Sequence, residues 1–421
     1  MLNFLKDVFS SVELLFLKWF WVPLPFVLAL ILWNLWLTYI FIKRKASIEW
    51  VLLEVKLSPN IVTSPKAMEQ VFASLWSIRR FRKRWWDTYV KGVFQEWFIF
   101  EIVFRRGKIH FYVRTPVKFR DLVENRIYAH YPDAQITEAD DYYKTLPEDI
   151  PKDHRFFGTE FTFLKDSVYP ILTYPYFTEK GDQEERTDPL ANIIEVFSKF
   201  PDSALVVLQY FIRPKMEAEW KPHGEEVVNE LMGKAPPAKK SFLGSVLSFF
   251  AETFNLLFNP NKENSSSSSS DVISTLSLSP GTLEAIKAIE RKISKYGFDV
   301  GIKTFYLDKG ESFSDRLTTL LVSIFHPVNT QNLNAIIVDG DTITSSLPSW
   351  NFKIFFSEQR LRLRERRFYR RVLWQSFPYK PVILNTEELA TICRFPGEKI
   401  RTPLLERAQI KTSEPPLELP K

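Results

Sequence analysis

Between Arg360 and Arg371 the sequence places seven arginines (360, 362, 364, 366, 367, 370 and 371) against a single acid, Glu365. On a helix Arg360, Arg364, Arg367 and Arg371 share one face, because residues three and four apart stack along the surface. A guanidinium is always charged and offers a rigid fork of donors, so this strip suits the phosphates of a lipid surface or a nucleic acid. Phe368, Tyr369 and Trp374 are interleaved with it. A second basic cluster, Arg79, Arg80, Arg82, Lys83 and Arg84, runs into Trp85 and Trp86. It lies close in sequence to a long apolar segment, which favours lipid. Solvated helix faces that pair with acids elsewhere produce the same runs, and that reading stays open for Arg360 to Arg371.

Other chemistry lacks its residues. A phosphate-cradling loop needs Gly-x-x-x-x-Gly-Lys-Ser/Thr; Gly233-Lys234 is followed by Ala235 and has no glycine five residues before it. His110, His130, His154, His223 and His326 are scattered, with none of the close spacing of a zinc site. Asp339-Gly340-Asp341 reads as a turn between short strands. Cys393 is the only cysteine, so the chain has no disulfide framework and no nucleophile motif. The sequence is therefore expected to be no enzyme, with no catalytic residue, cofactor or metal.

These clusters sit on a chain of 421 residues, enough for about two to three domains. A composition 45% hydrophobic and 25% charged excludes wholesale disorder and a wholly membrane-embedded protein. Lys plus Arg is 56 against 50 acids, a net +6 that suits an anionic partner without demanding one. The 12 Trp and 37 Phe are heavy for a soluble protein and ask for an address.

Part of that address is Trp19 to Ile42, which carries no charge. As a helix it is about 36 Å long, more than a hydrocarbon core of roughly 30 Å. Trp19, Trp21, Trp33, Trp36 and Tyr39 suit the headgroup boundary. A cleavable signal peptide fits less well, since the run is long, starts late and has no small-x-small site after it. Lys43, Arg44, Lys45 and Lys56 follow the span and only Lys6 and Lys18 precede it. That asymmetry predicts a single-pass protein of the cell membrane with its C-terminal bulk in the cytoplasm.

The expected fold class is α+β: a transmembrane helix over 19–42 behind a short segment 1–18, then two ferredoxin-like α/β-sandwich units. The first spans 43–230. Ile48 to Leu57 alternates as a strand, and Ser64-Pro65 then caps a helix with Met68, Val71, Phe72, Leu75 and Trp76 at helical spacing. Two β-rich runs across Arg106-Gly107-Lys108 make a hairpin, Phe119 to Tyr131 a helix and Gln135 to Thr137 a short strand. Strand, helix, strand, strand, helix, strand is the split βαβ order. Residues 231–278 form a linker holding an apolar helix over 241–258 and the serines Ser265 to Ser270. Phe242, Val246, Phe249, Phe250, Phe254 and Leu257 would lie in the membrane interface, although a core or partner-binding helix is the alternative. The second unit, 279–396, opens at Ser279-Pro280 and contains the arginine-rich helix and short runs such as Phe352 to Phe355. A Pro-rich tail covers 397–421.

One resemblance adds to this. Phe98-Ile99-Phe100-Glu101-Ile102 through Gly107-Lys108-Ile109-His110-Phe111-Tyr112-Val113-Arg114-Thr115-Pro116, then Ile383-Leu384-Asn385-Thr386-Glu387-Glu388-Leu389-Ala390-Thr391 with Phe395-Pro396-Gly397, resemble the membrane-proximal region of TraG/TraD-like and HerA-like ATPases of type IV secretion and conjugation. The chain closes where those relatives run on into a Walker A loop, so the resemblance implies the anchor and accessory portion without the motor. It implies a non-catalytic component that docks a separate ATPase at the cytoplasmic face through Asn385, Thr386, Glu387, Glu388, Leu389, Phe395 and Pro396. Expected partners are anionic lipids, that ATPase or other secretion subunits, and further copies of the chain. The alternative is a nucleic-acid-binding module that guides DNA to a translocase.

Overall fold

A computed structural model describes residues 24–58, 64–80, 84–178, 188–233, 279–345, 357–397 and 403–406. Arg82 and Lys83, the interface helix expected over 241–258 with its six apolar residues, Ser265 to Ser270, Phe352 to Phe355 and the tail beyond 406 lie outside them. The chain divides into two compact units, residues 1–50 with 80–96, and residues 51–79 with 97–421.

In the smaller unit, helix α1 (Leu24–Ala46) is long and apolar enough to cross a bilayer, with a mean hydropathy of 2.0 over its best window. Its large apolar side chains, from Phe26 to Ile42, point outward, and Ile40 is its one buried residue. Segment 84–96, with the short helix α3 (Trp85–Tyr89), lies along it. The Trp36 indole donates to the Tyr89 carbonyl at 3.0 Å, Trp33 stacks on the Tyr89 ring and Phe41 meets Phe94.

The larger unit is α+β, built on one antiparallel sheet. Its strands are β1 (Trp50–Lys56), β2 (Phe98–Arg105), β3 (Lys108–Pro116), β4 (Gln135–Glu138), β5 (His154–Phe163), β6 (Leu205–Pro214), β7 (Gly297–Lys309), β8 (Ile336–Val338) and β9 (Val382–Asn385). They lie in the order β4-β1-β3-β2-β6-β7-β5-β8, with β9 pairing the start of β7. The order is palindromic. Within each half the fourth strand is outermost, followed by the first, third and second, and the halves meet where β2 pairs β6 along Phe98↔Ile212 to Arg105↔Leu205. One sheet thus runs through strands expected in two separate domains, because β5 and β6 pair along β7.

Alternation along the strands fixes the two faces. Phe98, Phe100, Ile102 and Phe104 of β2 join the main core. That core also takes apolar residues of α2 (Pro65–Leu75), α4 (Arg120–His130), α6 (Pro189–Phe197), α9 (Asp315–Val322) and α11 (Thr386–Ile392). Val103 faces the other way, towards a second cluster made with Tyr142, Tyr143, Phe156, Phe305, Phe368, Tyr369 and Val372. The last three belong to α10 (Ser357–Leu373), the arginine-rich helix. Helices α7 (Lys221–Leu231) and α8 (Pro280–Ile293) share a small third cluster, and α5 (Pro175–Thr178) is a single turn. Ser64 and Ser279 cap α2 and α8, each followed by proline at the first helical position. The β2-β3 turn puts Arg106 at φ 52° and Gly107 at φ 72°, the left-handed pair that suits a two-residue hairpin.

Candidate functional site

Four buried polar residues cross the sheet in register: Glu101 opposite Gln209, Gln209 opposite Lys303, and Lys303 opposite Glu160. All face the α10 side, where an unpaired charge would be costly. At one end Gln209 donates to Glu101 Oε1 at 3.0 Å and the Tyr142 hydroxyl donates to Oε2 at 2.8 Å. Arg114 adds a bond to Glu101 and forks onto Asp141 at 2.7 and 2.9 Å. Burial alone would raise Asp141, but the Arg114 guanidinium outweighs it and holds the carboxyl below its usual range. At the other end Glu160 is raised by burial, partly offset by Lys303 and Arg371. Arg371 donates to Glu160 at 2.5 Å, and Lys303 donates to the Ser376 carbonyl at 3.0 Å.

Arg371 therefore seats α10 on the sheet. Glycines make the seat possible. A Cβ on Gly158 would lie 2.4 Å from the Phe368 ring, and one on Gly301 would lie 2.3 Å from the Pro378 ring. With Phe368, Tyr369 and Val372 turned inward, the opposite flank of α10 forms an open groove of about 570 Å³ lined by Leu363, Arg366, Arg367, Arg370, Arg371, Trp374 and Ser376. Leu363 and Trp374 are more than 60% exposed. Arg366 reaches Asp149 at 3.6 Å, and among the described residues Arg367 and Arg370 make no ion pair.

The four arginines expected on one strip are divided by this seating. Arg367 lines the groove and Arg371 turns inward to Glu160, while Arg364 donates to the Gly340 carbonyl at 2.7 Å and Arg360 is exposed near the helix start. The earlier basic cluster is divided too. Arg79 stacks on Trp76 in the larger unit. In the smaller unit Arg80 donates to the Val93 carbonyl at 2.7 Å and pairs with Asp87, while Arg84 is exposed.

The segment expected to dock a partner is interior. Asn385, Thr386, Glu387, Glu388, Leu389 and Phe395 are all buried, and Pro396 is half-buried. Asn385 and Glu388 form a reciprocal capping box. Glu388 meets Lys292 Nζ at 3.0 Å with both side chains inaccessible, and it accepts from the Ile171 and Asn385 N–H groups. Burial raises Glu388 and lowers Lys292. Burial would also raise Glu387, but bonds from Lys295 and Thr173 and the charges of Lys295 and Arg291 hold it below its usual range.

Elsewhere, Glu54, His110 and Glu406 converge, with His110 Nδ1 at 2.7 and 3.1 Å from the two carboxylates. Lys56 lies 3.3 and 3.4 Å from the same two groups and neutralises them as an ion-pair knot. Asp339-Gly340-Asp341 is a turn bridged by Lys380. Burial pushes the Cys393 thiol well up. The polar row, the Lys292–Glu388 pair and the Glu54–His110–Glu406 knot were not anticipated. Lys292 did leave a signal, since it falls on the apolar stripe Ile286, Ile289, Ile293 of α8. Compared with known protein families and with curated proteins, the chain matches none.

Proposed function

We propose that the chain is a membrane-anchored, non-catalytic component of a type IV secretion or conjugation-like apparatus, with its α+β body at the cytoplasmic face of the cell membrane. The membrane anchoring is supported by α1, whose apolar side chains face outward and whose last turn carries Lys43, Arg44 and Lys45, while the secretion assignment rests on the sequence resemblance. Apolar helices of this length find their partner atoms in a bilayer, and basic residues at one end favour the cytoplasmic side. Each half of the sheet is read as one ferredoxin-like unit, since fourth-first-third-second is the order a split βαβ produces. The partner in this reading is a HerA/TraG-like ATPase or another subunit of the apparatus, met by exposed parts of the body.

The test is membrane fractionation of the native host with cross-linking. The expected result is that the full chain pellets with membranes, resists alkaline extraction and captures an envelope ATPase, and that deleting residues 1–46 releases it. A full chain that stays soluble, or a cross-linked set without any envelope component, would remove the proposal. A second reading, guidance of nucleic acid, is favoured by the arginine groove on α10.

A further inference from the structure

We infer that the α10 groove binds single-stranded nucleic acid, a claim that rests on that second reading and narrows it. Arg366, Arg367 and Arg370 lie within about one turn of helix on one flank, where guanidinium forks can follow consecutive phosphates. Asp149 partly balances the first, while Arg367 and Arg370 have no ion pair among the described residues, so the groove carries net positive charge. Its other lining is apolar and aromatic: Leu363 is 63% and Trp374 62% exposed. An exposed indole beside a row of arginines is the pairing that unstacked bases use, since every base has a face to stack.

The groove is open, about 570 Å³, and presents an exposed indole that suits the face of an unstacked base. Paired bases keep their faces stacked inside the helix and offer none to Trp374. The seat beneath the groove is rigid, because Arg371 is tied to Glu160 and its guanidinium lies 4.0 Å from the Tyr379 ring centroid.

The experiment uses the full chain in detergent with three probes: a fluorescent twelve-nucleotide oligothymidine, a twelve-base-pair duplex, and vesicles of phosphatidylcholine with phosphatidylglycerol. The single strand is expected to bind most tightly, with affinity falling as salt rises. Arg366→Gln/Arg367→Gln/Arg370→Gln should lower that affinity at least tenfold and flatten the salt slope by about 2, at roughly 0.7 per phosphate lost. Trp374→Ala should weaken it about fivefold to a hundredfold, with Trp374→Phe recovering part. An unchanged thermal midpoint keeps either loss from being unfolding. Equal affinity for the duplex, or no effect of Trp374→Ala, overturns the single-strand inference while leaving nucleic-acid guidance standing. Failure of either nucleic acid to bind at 50 mM salt overturns both. Vesicle capture that depends on the three arginines, without binding of the oligonucleotide, replaces both with lipid.

Discussion

Helix α11 buries Glu387 and Glu388 almost completely, whereas α10 leaves Arg362, Arg366, Arg367 and Arg370 in solvent. Both helices are dense in charge, and the difference lies in where the counter-charges come from. For α11 they arrive from one neighbouring stretch: Arg291, Lys292 and Lys295 on and just after α8 reach the two carboxylates. Its acids also stand in the first turn, where the helix dipole favours them. Around α10 the arginines point in every direction, and only the side facing the sheet meets a buried acid, Glu160. Charge that can be paired is taken inside and becomes structure; charge in excess stays outside and remains available to a ligand.

The largest effect that would break this contrast is on the buried pair. Lys292→Met strands the Glu388 carboxylate and should cost about 3–5 kcal/mol of unfolding free energy measured by urea titration. Adding Glu388→Gln removes the stranded charge but keeps an acceptor for only one of the Asn385 and Ile171 N–H groups, which bond different carboxylate oxygens, so it should recover part of that loss. A cost under about 1 kcal/mol for Lys292→Met would remove the distinction between the helices.

Next comes the seat of α10. Gly158→Ala pushes a methyl group into the Phe368 ring and should destabilise by up to about 3 kcal/mol while changing Trp374 fluorescence. An unchanged spectrum and midpoint would mean that α10 does not need this close approach.

Third is the pH dependence of Glu387, whose carboxyl is held below its usual range. A depressed acid adds stability above its unfolded value of about 4.3 and loses it as pH falls through its folded value. Glu387→Gln should therefore cost about 1.5 kcal/mol at pH 7, and the gap to the unsubstituted chain should narrow as pH falls below about 4.3. A gap that does not narrow as pH falls would assign the effect to packing instead.

The smallest expected effect sharpens the other side. Arg367→Gln/Arg370→Gln should leave stability within about 0.5 kcal/mol, because the removed charges support nothing in the fold. A larger loss would show those arginines to be structural.

Much of the fold was legible locally. The Ser64-Pro65 and Ser279-Pro280 caps and the alternation of β2 and β3 across Arg106-Gly107 are short-range signals, and they are realised. The palindromic order was not legible, because β2 pairs with a strand about 100 residues away and only tertiary packing selects that partner. Within α10, helical spacing groups Arg360, Arg364, Arg367 and Arg371 but does not say which flank is inward. Phe368, Tyr369 and Val372 say it, and they turn Arg371 towards the sheet. The burial of Glu387 and Glu388 was illegible for another reason: a short charged helix reads as exposed until its counter-ions, about 95 residues earlier, fold onto it.

The seam between β2 and β6 also sets a timetable. The β2-β3 hairpin closes through its own two-residue turn as soon as both strands exist. Its open edge must then wait for β6, which begins at Leu205, and the pairing of β6 waits in turn for β7 at Gly297. At roughly 5–20 residues per second of synthesis, the first interval lasts about 5–20 s. During that time a nascent chain displays eight residues of almost wholly apolar strand, Phe98 to Arg105, with one row of backbone groups unpaired. A holdase that covers β2 until β6 emerges would protect the newborn protein at its most adhesive moment.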